Sequence, residues 1–480
     1  MSHHRGGPAG PDWRLPAGLL LGAFLALLDV SIVTVALPDI GADLNAGTSG
    51  MQWVVDAYTL LLSALLLSSG AVGDRYGRKR AYLTGVAVFT VASLGCALAP
   101  TAGVLIAARA VQGAGAALIF TGTLSNLVQA YPQPQARARM LGLQGAVGGA
   151  AVLAGPLLGG VLVDTVGWRG VFLINLPVGA VTLWLALRAV PESSDPQHAA
   201  LDPVGQVLAL AGLGALTYGL IESGAHGWTS AWTIGSLGGG VVALVAFFAV
   251  ERASRRPMLP TGLFRDGSFT VPNAASFVLG FGTSAVFFLL SLYLQQVRGY
   301  SALGTGLRFL PLTVAIWLVA PYATRLCARY GTARIMSVGY TVSGAALMGL
   351  TLLGTDTGFG VFAALTVALG AGMGASIGPT QLAGVAALPV QRSGLASACI
   401  STTRQLGTAM GVAVLGLVIA EQAGTDSARP GYADGFMRGL HLSGLAAGAA
   451  TLAAAALVGV HGRAKAAAAP APATAADARR

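Results

Sequence analysis

Long apolar stretches separated by short polar turns set the character of this chain. Fourteen stretches approach the roughly 20 apolar residues needed to cross ~30 Å of hydrocarbon. Their cores lie near 15–37, 53–72, 81–98, 103–122, 141–163, 171–190, 204–221, 233–250, 269–290, 307–326, 335–353, 359–383, 403–420 and 436–460. The pattern predicts an all-α integral membrane protein with fourteen transmembrane helices. Many stretches are rich in Gly, Ala and Ser, which let helices pack closely. The first stretch is too long for a signal-peptide core and is expected to stay in the protein.

Two longer polar breaks, 191–203 and 251–267, divide the helices into six, two and six. The expected organisation is a cytoplasmic tail over 1–14, a six-helix bundle over 15–190, an additional pair over 204–250 and a second bundle over 268–460. The Ala/Pro-rich segment 461–480 is expected to be a disordered cytoplasmic tail.

Charge orients this arrangement. With the N-terminus inside, only Arg169, Arg298, Arg308, Arg429 and Arg438 fall in outer turns. Arg109 and Arg404 fall within helices, and every other basic residue lies inside. Cytoplasmic loops carry such an excess of Lys and Arg, so both termini are expected in the cytoplasm and the protein in the cytoplasmic membrane. The net charge of +10 is therefore a topology signal. It points to anionic lipid headgroups rather than nucleic acid. Cys96, Cys327 and Cys399 fit neither a disulfide framework nor a metal site. A P-loop and metal-spaced histidines are both missing, so no enzyme, metal or cofactor is expected.

The densest charge cluster is the turn over 70–80, Gly70-Ala-Val-Gly73-Asp74-Arg75-Tyr76-Gly77-Arg78-Lys79-Arg80. A worn copy occupies 325–334, where Arg329 and Gly331 match Arg75 and Gly77 but Ala328 replaces the acid. A repeat at about half the chain length suits two related bundles. The 70–80 turn resembles the loop between helices 2 and 3 of the major facilitator superfamily. The central pair resembles that superfamily's 14-span drug:proton antiporter branch. The resemblance implies two six-helix bundles plus two central helices. It also implies a conformational latch at Gly70, Asp74, Arg75, Gly77 and Arg78. Asp74 can pair with Arg78 or face the positive end of a neighbouring helix, and Gly70 and Gly73 allow close backbone approach. An ordinary basic stop loop is the alternative.

Asp29 stands within the first stretch, in Leu28-Asp29-Val30-Ser31-Ile32-Val33-Thr34. A mid-membrane carboxylate costs about 2.5–3.5 kcal/mol to insert, so it should face a partner or a cavity. Burial disfavours its ionised form and a nearby cation favours it, so changing access can load and unload a proton. Arg109, in Arg109-Ala-Val-Gln112-Gly113, lies on the fourth stretch. At 1.5 Å per residue, Asp29 and Arg109 both fall on the order of 10 Å below the outer boundary. Gln112 shares the Arg109 face at i+3. Both segments resemble superfamily motifs, which imply proton coupling through Asp29 and Arg109. A structural Asp and a snorkelling Arg are the alternatives.

The fifth stretch holds Gly149 and then Gly155-Pro156-Leu-Leu-Gly159-Gly160. It resembles the motif that separates antiporters from symporters, and a generic small-residue packing face is the alternative. Trp168–Pro177 and Arg404-Gln405-Leu-Gly407 also resemble drug-exporter segments and are read as structural. Asp56, Tyr58, Gln112 and Gln295 are the candidates for a substrate cavity, and Glu222 is expected on a solvated outer turn. The implied function is export of small lipophilic, including cationic, compounds by a monomeric proton antiporter, the proton gradient being the coupling source. A specific metabolite or antibiotic exporter, a proton-coupled importer and a non-transporting receptor or scaffold are the alternatives.

Overall fold

A computed structural model describes residues 13–194, 202–254, 261–388, 393–424 and 430–468. Its helices are α1 (Arg14–Asp43), α2 (Thr48–Tyr76), α3 (Arg78–Ala97), α4 (Ala102–Ala130), α5 (Pro134–Val166), α6 (Gly170–Ala189) and α7 (Pro203–His226). They continue as α8 (Ala231–Ala253), α9 (Gly267–Val297), α10 (Ala302–Tyr330), α11 (Thr332–Leu352), α12 (Phe359–Ala386), α13 (Ser393–Ala423) and α14 (Tyr432–Ala468). Each has the length and apolarity of a membrane span when α2 is counted as one span, bent by 55° between Leu66 and Ser68. Just past the bend, the Ser69 hydroxyl donates to the Leu66 carbonyl at 2.9 Å, a bond that competes with the helix ladder.

The expected all-α architecture is borne out. Helices α1–α6 form one bundle, α9–α14 a second, and α7 with α8 pair beside α2 and α13. Across the bundle interface α2 meets α13 and α5 meets α10. Second and fifth helices of each bundle are thus partnered twice, as a two-fold relation between repeats requires. Small residues set these distances. A Cβ on Gly113 of α4 would run into the Tyr58 carbonyl of α2.

The two basic turns share a backbone device. Gly77, between α2 and α3, has φ +110°, and Gly331, between α10 and α11, has φ +86°. L side chains rarely adopt such values, which explains glycine at both positions. The Glu192 carboxylate accepts from the Lys79 and Arg80 amides at 3.1 and 3.3 Å, occupying the positive end of α3.

One expected boundary moves. Helix α14 continues to Ala468, past the tail expected from 461. Alanine is the strongest helix former, so this composition extends the helix for two further turns. Much of the 191–203 and 251–267 linkers, and the chain ends, lie outside the described residues.

Candidate functional site

Five helices of the first bundle converge on Asp29, which is fully buried. Arg109 Nη1 donates to Asp29 Oδ2. Gln112 Nε2 and Asn175 Nδ2 donate to Asp29 Oδ1 at 2.8 and 2.9 Å. Both amides also reach Ser93 Oγ, at 2.8 and 3.2 Å. Arg109 Nε donates to the Val54 carbonyl at 3.0 Å, and its guanidinium lies 4.3 Å from the Tyr58 ring centre. The Asp29 carboxylate oxygens accept from Arg109, Gln112 and Asn175. The pair draws α1, α2, α3, α4 and α6 onto one charge.

Depth counting along α1 and α4 puts Asp29 and Arg109 at one level, and in the structure the two side chains meet there. Two members of the cluster escape sequence reasoning. Asn175 lies in a segment read as structural, and Ser93 carries no signal beyond being polar in an apolar helix.

The four substrate-cavity candidates take other places in this conformation. Gln112 and Tyr58 belong to the Asp29–Arg109 cluster. Gln295 Nε2 donates to the Val35 carbonyl at 2.8 Å, tying α9 to α1. Asp56 is fully buried on the α2 face that Gln52 directs at α13, and neither carboxylate oxygen has a hydrogen-bond partner among the described residues. Glu222 is not a solvated turn residue. It is half-buried and accepts from Ser49 Oγ at 3.0 Å and Trp53 Nε1 at 3.3 Å, fastening α7 to α2.

The bundles touch asymmetrically. Among the described residues, their mutual hydrogen bonds all lie in the half away from the basic turns. Gln52 Nε2 donates to the Val412 and Ala413 carbonyls at 2.9 and 3.2 Å. Ser291 Oγ donates to the Thr34 carbonyl at 2.8 Å, and Asp164 accepts from Ser301 Oγ at 2.9 Å. The glycine-rich run of α5 follows the same gradient. A Cβ on Gly160 would stand 2.5 Å from Leu303 Cα, and one on Gly149 would stand 3.1 Å from the Trp317 ring. Gly145 and Gly142 have nothing within 4 Å. Helices α5 and α10 thus diverge towards the basic turns, leaving a cleft open at that end.

Gly155 and Gly159 of that run pack on α1 instead. A Cβ on Gly155 would collide with Ser31 Oγ, and one on Gly159 would stand 2.9 Å from the Ile32 carbonyl. The motif thus presses against both α1 and α10, through glycines that Pro156 interrupts.

The 70–80 turn is confined to its own bundle here. Asp74 Oδ1 accepts from Arg78 Nε at 2.7 Å, and Arg78 Nη1 donates to Gln129 Oε1 at 3.2 Å. Arg75 is exposed beside the Tyr76 ring. A Cβ on Gly70 would meet nothing within 4 Å, so the close approach expected there is not made in this conformation. Among the described residues no group of His, Cys, Asp and Glu is arranged to hold a metal.

Residues 19–412 match the family model described as Major Facilitator Superfamily. The chain is 38% identical over 400 residues to multidrug resistance protein Stp of Mycobacterium tuberculosis (strain CDC 1551 / Oshkosh), covering 83% of this chain and 74% of that one. It is 36% identical over 402 residues to the methylenomycin A resistance protein of Bacillus subtilis (strain 168), covering 84% and 86%. Its fold superposes with TM-score 0.70 and 18% identity on a bacterial homologue of the human lysosomal transporter Spinster, covering 97% of this chain and 100% of that chain. The chain belongs to the Major Facilitator Superfamily, a family of membrane transporters rather than enzymes.

Proposed function

We propose that the chain exports small lipophilic compounds across the cytoplasmic membrane in exchange for protons, by alternating access. The basic turns mark the cytoplasmic side, so the described conformation opens inward. Relatives named for multidrug and methylenomycin A resistance support the cargo class.

The observation that carries the coupling is the sharing of helices between the Asp29 cluster and the outer closure. Val54, which holds Arg109, is two residues from Gln52, which bolts α2 to α13. Asp29 is five residues from Thr34, whose carbonyl anchors Ser291, a rise of about 7.5 Å. Protonating Asp29 cancels the charge that compensates buried Arg109. The cation is left with the Val54 carbonyl, the Gln112 side-chain oxygen and the Tyr58 face. Breaking a buried pair costs about 3–5 kcal/mol, enough to shift a two-state equilibrium. In the cycle, inward-facing Asp29 is ionised and cargo enters. Outward-facing Asp29 takes a proton and cargo leaves.

Proteoliposomes carrying an imposed pH gradient test direction. Ethidium and a panel of antibiotics, methylenomycin A included, should move against the proton flow. Movement with the protons would replace the export reading by import.

The latch has its own expected result. The Asp74–Arg78 pair is partly exposed, and such pairs add at most about 1 kcal/mol. Asp74→Asn should leave thermal stability nearly unchanged while slowing transport several-fold, because its role arises when the cytoplasmic ends close. Unaltered transport would reduce the turn to a topology signal.

A further inference from the structure

Arg404 lies deeper within a span than any other Arg or Lys of the second bundle, and among the described residues no counter-ion stands beside it. It lies 11 residues into α13, about 16 Å from that helix's cytoplasmic end. Among the described residues its guanidinium has neither an ion-pair nor a hydrogen-bond partner. From 267 to 420 the only acidic residue in the sequence is Asp356, in the outer turn between α11 and α12. The electrostatic neighbour of Arg404 is the Tyr340 phenol, which hydrogen-bonds Thr380 at 3.1 Å and supplies no negative charge.

The helix stretch around Arg404 is polar and only half-buried. Ser401, Thr402, Thr403, Arg404 and Gln405 are all half-buried, between buried Cys399-Ile400 and buried Gly407-Thr408-Ala409. An uncompensated cation at this depth does not face lipid, where it would cost several kcal/mol. Arg404 is half-buried rather than enclosed, so its side chain opens on the inward-facing cleft. The Thr402 hydroxyl within this run is buried and has no partner among the described residues. On the neighbouring helix, Phe277 and Phe281 stack with centres 6.4 Å apart, and Gly407 and Gly411 press against their backbones. The first bundle offers the cleft no matching acid. Asp29 is committed to Arg109, and Asp56 is enclosed.

We propose that Arg404 is the anion subsite of the transport cleft, and that the cargo includes organic anions with an apolar body, such as lipophilic carboxylates. The guanidinium receives the charge and the neighbouring hydroxyls complete its hydrogen bonds. The site lies in the second bundle, so cargo charge and proton are held on opposite sides of the cleft. Identifying the anion as cargo rests on the export reading, whereas the binding preference itself does not.

Three matched probes test it: 1-naphthoate, 1-naphthyltrimethylammonium and neutral 1-naphthamide. Binding is measured on the full-length protein in phosphatidylcholine nanodiscs, with empty nanodiscs subtracted. Wild type should favour the anion over the cation by about tenfold, the worth of one charge-assisted hydrogen bond. Arg404→Gln should erase that preference while leaving naphthamide binding in place, which also reports an intact fold. Arg404→Lys should keep most of it. Equal anion and cation binding in wild type, or a preference that survives Arg404→Gln, overturns the proposal. Displacement of naphthoate by added phosphatidylglycerol only when Arg404 is present would make the occupant a lipid headgroup and overturn the cargo assignment. Anion binding without gradient-driven movement of any cargo would sink the export reading and leave the subsite standing.

Discussion

Asp29→Asn is expected to abolish proton-driven transport, with gradient-dependent flux falling by at least about 100-fold. Asparagine keeps the shape of the aspartate but not its charge, so Arg109 remains buried without compensation. Removing one partner of a buried pair costs about 3–5 kcal/mol, and a lowered thermal midpoint should accompany the lost flux. The double variant Asp29→Asn/Arg109→Gln separates the two effects. It removes the uncompensated cation, so it should recover about 2 kcal/mol of stability over the single variant while staying inactive. Full gradient-driven flux in Asp29→Asn would exclude Asp29 from coupling. A double variant no more stable than the single one would show that the pair acts independently of the fold.

The second large effect is steric. A Cβ on Gly306 of α10 would run into the Pro156 carbonyl of α5, and one on Gly160 would come within 2.5 Å of Leu303 Cα. Both contacts belong to the outer closure, so a larger residue there should wedge the bundles apart outside and leave each bundle packed. Gly160→Val or Gly306→Val should reduce transport at least tenfold, since a carrier that cannot close outside cannot reload. Gly235→Val on α8, outside both bundles and with nothing within 4 Å, is the matched control. An Ala302→Cys reporter reads the conformation directly. Ala302 is 3% exposed in the closed arrangement, and a membrane-impermeant maleimide added outside should label it faster in the wedged variants. Labelling at the wild-type rate would mean that these glycines serve only local packing.

Much of the fold is legible because a membrane allows few alternatives. Length and apolarity identify spans. The Asp29–Arg109 contact is legible for a related reason: a constant helical rise turns residue counting into depth. Depth does not give direction around a helix. Asp56 and Gln295 have suitable depths for a cleft, yet Asp56 is enclosed at the α2–α13 seam and Gln295 ties α9 to α1. Helix α9 shows why counting fails, since it contains π-helical turns at Gly280–Ser284 and Tyr293–Val297. Each inserts an extra residue and rotates the faces that follow. Asn175 and Ser93 are hidden for another reason. A small polar residue in an apolar helix looks the same whether it bonds its own backbone or a buried carboxylate cluster on other helices.

Most hydrogen-bond acceptors of the outer closure are main-chain carbonyls. Those of Thr34, Val35, Val412 and Ala413 accept from Ser291, Gln295 and Gln52 side chains, the Asp164 carboxylate accepts from Ser301, and glycines set the closest approaches. Substituting the side chains of those four acceptor residues does not delete the carbonyls. The cleft wall can therefore diversify, residue by residue, while the barrier to leakage is inherited almost unchanged. On this view, new cargo ranges arise in descendants without each having to reinvent a seal.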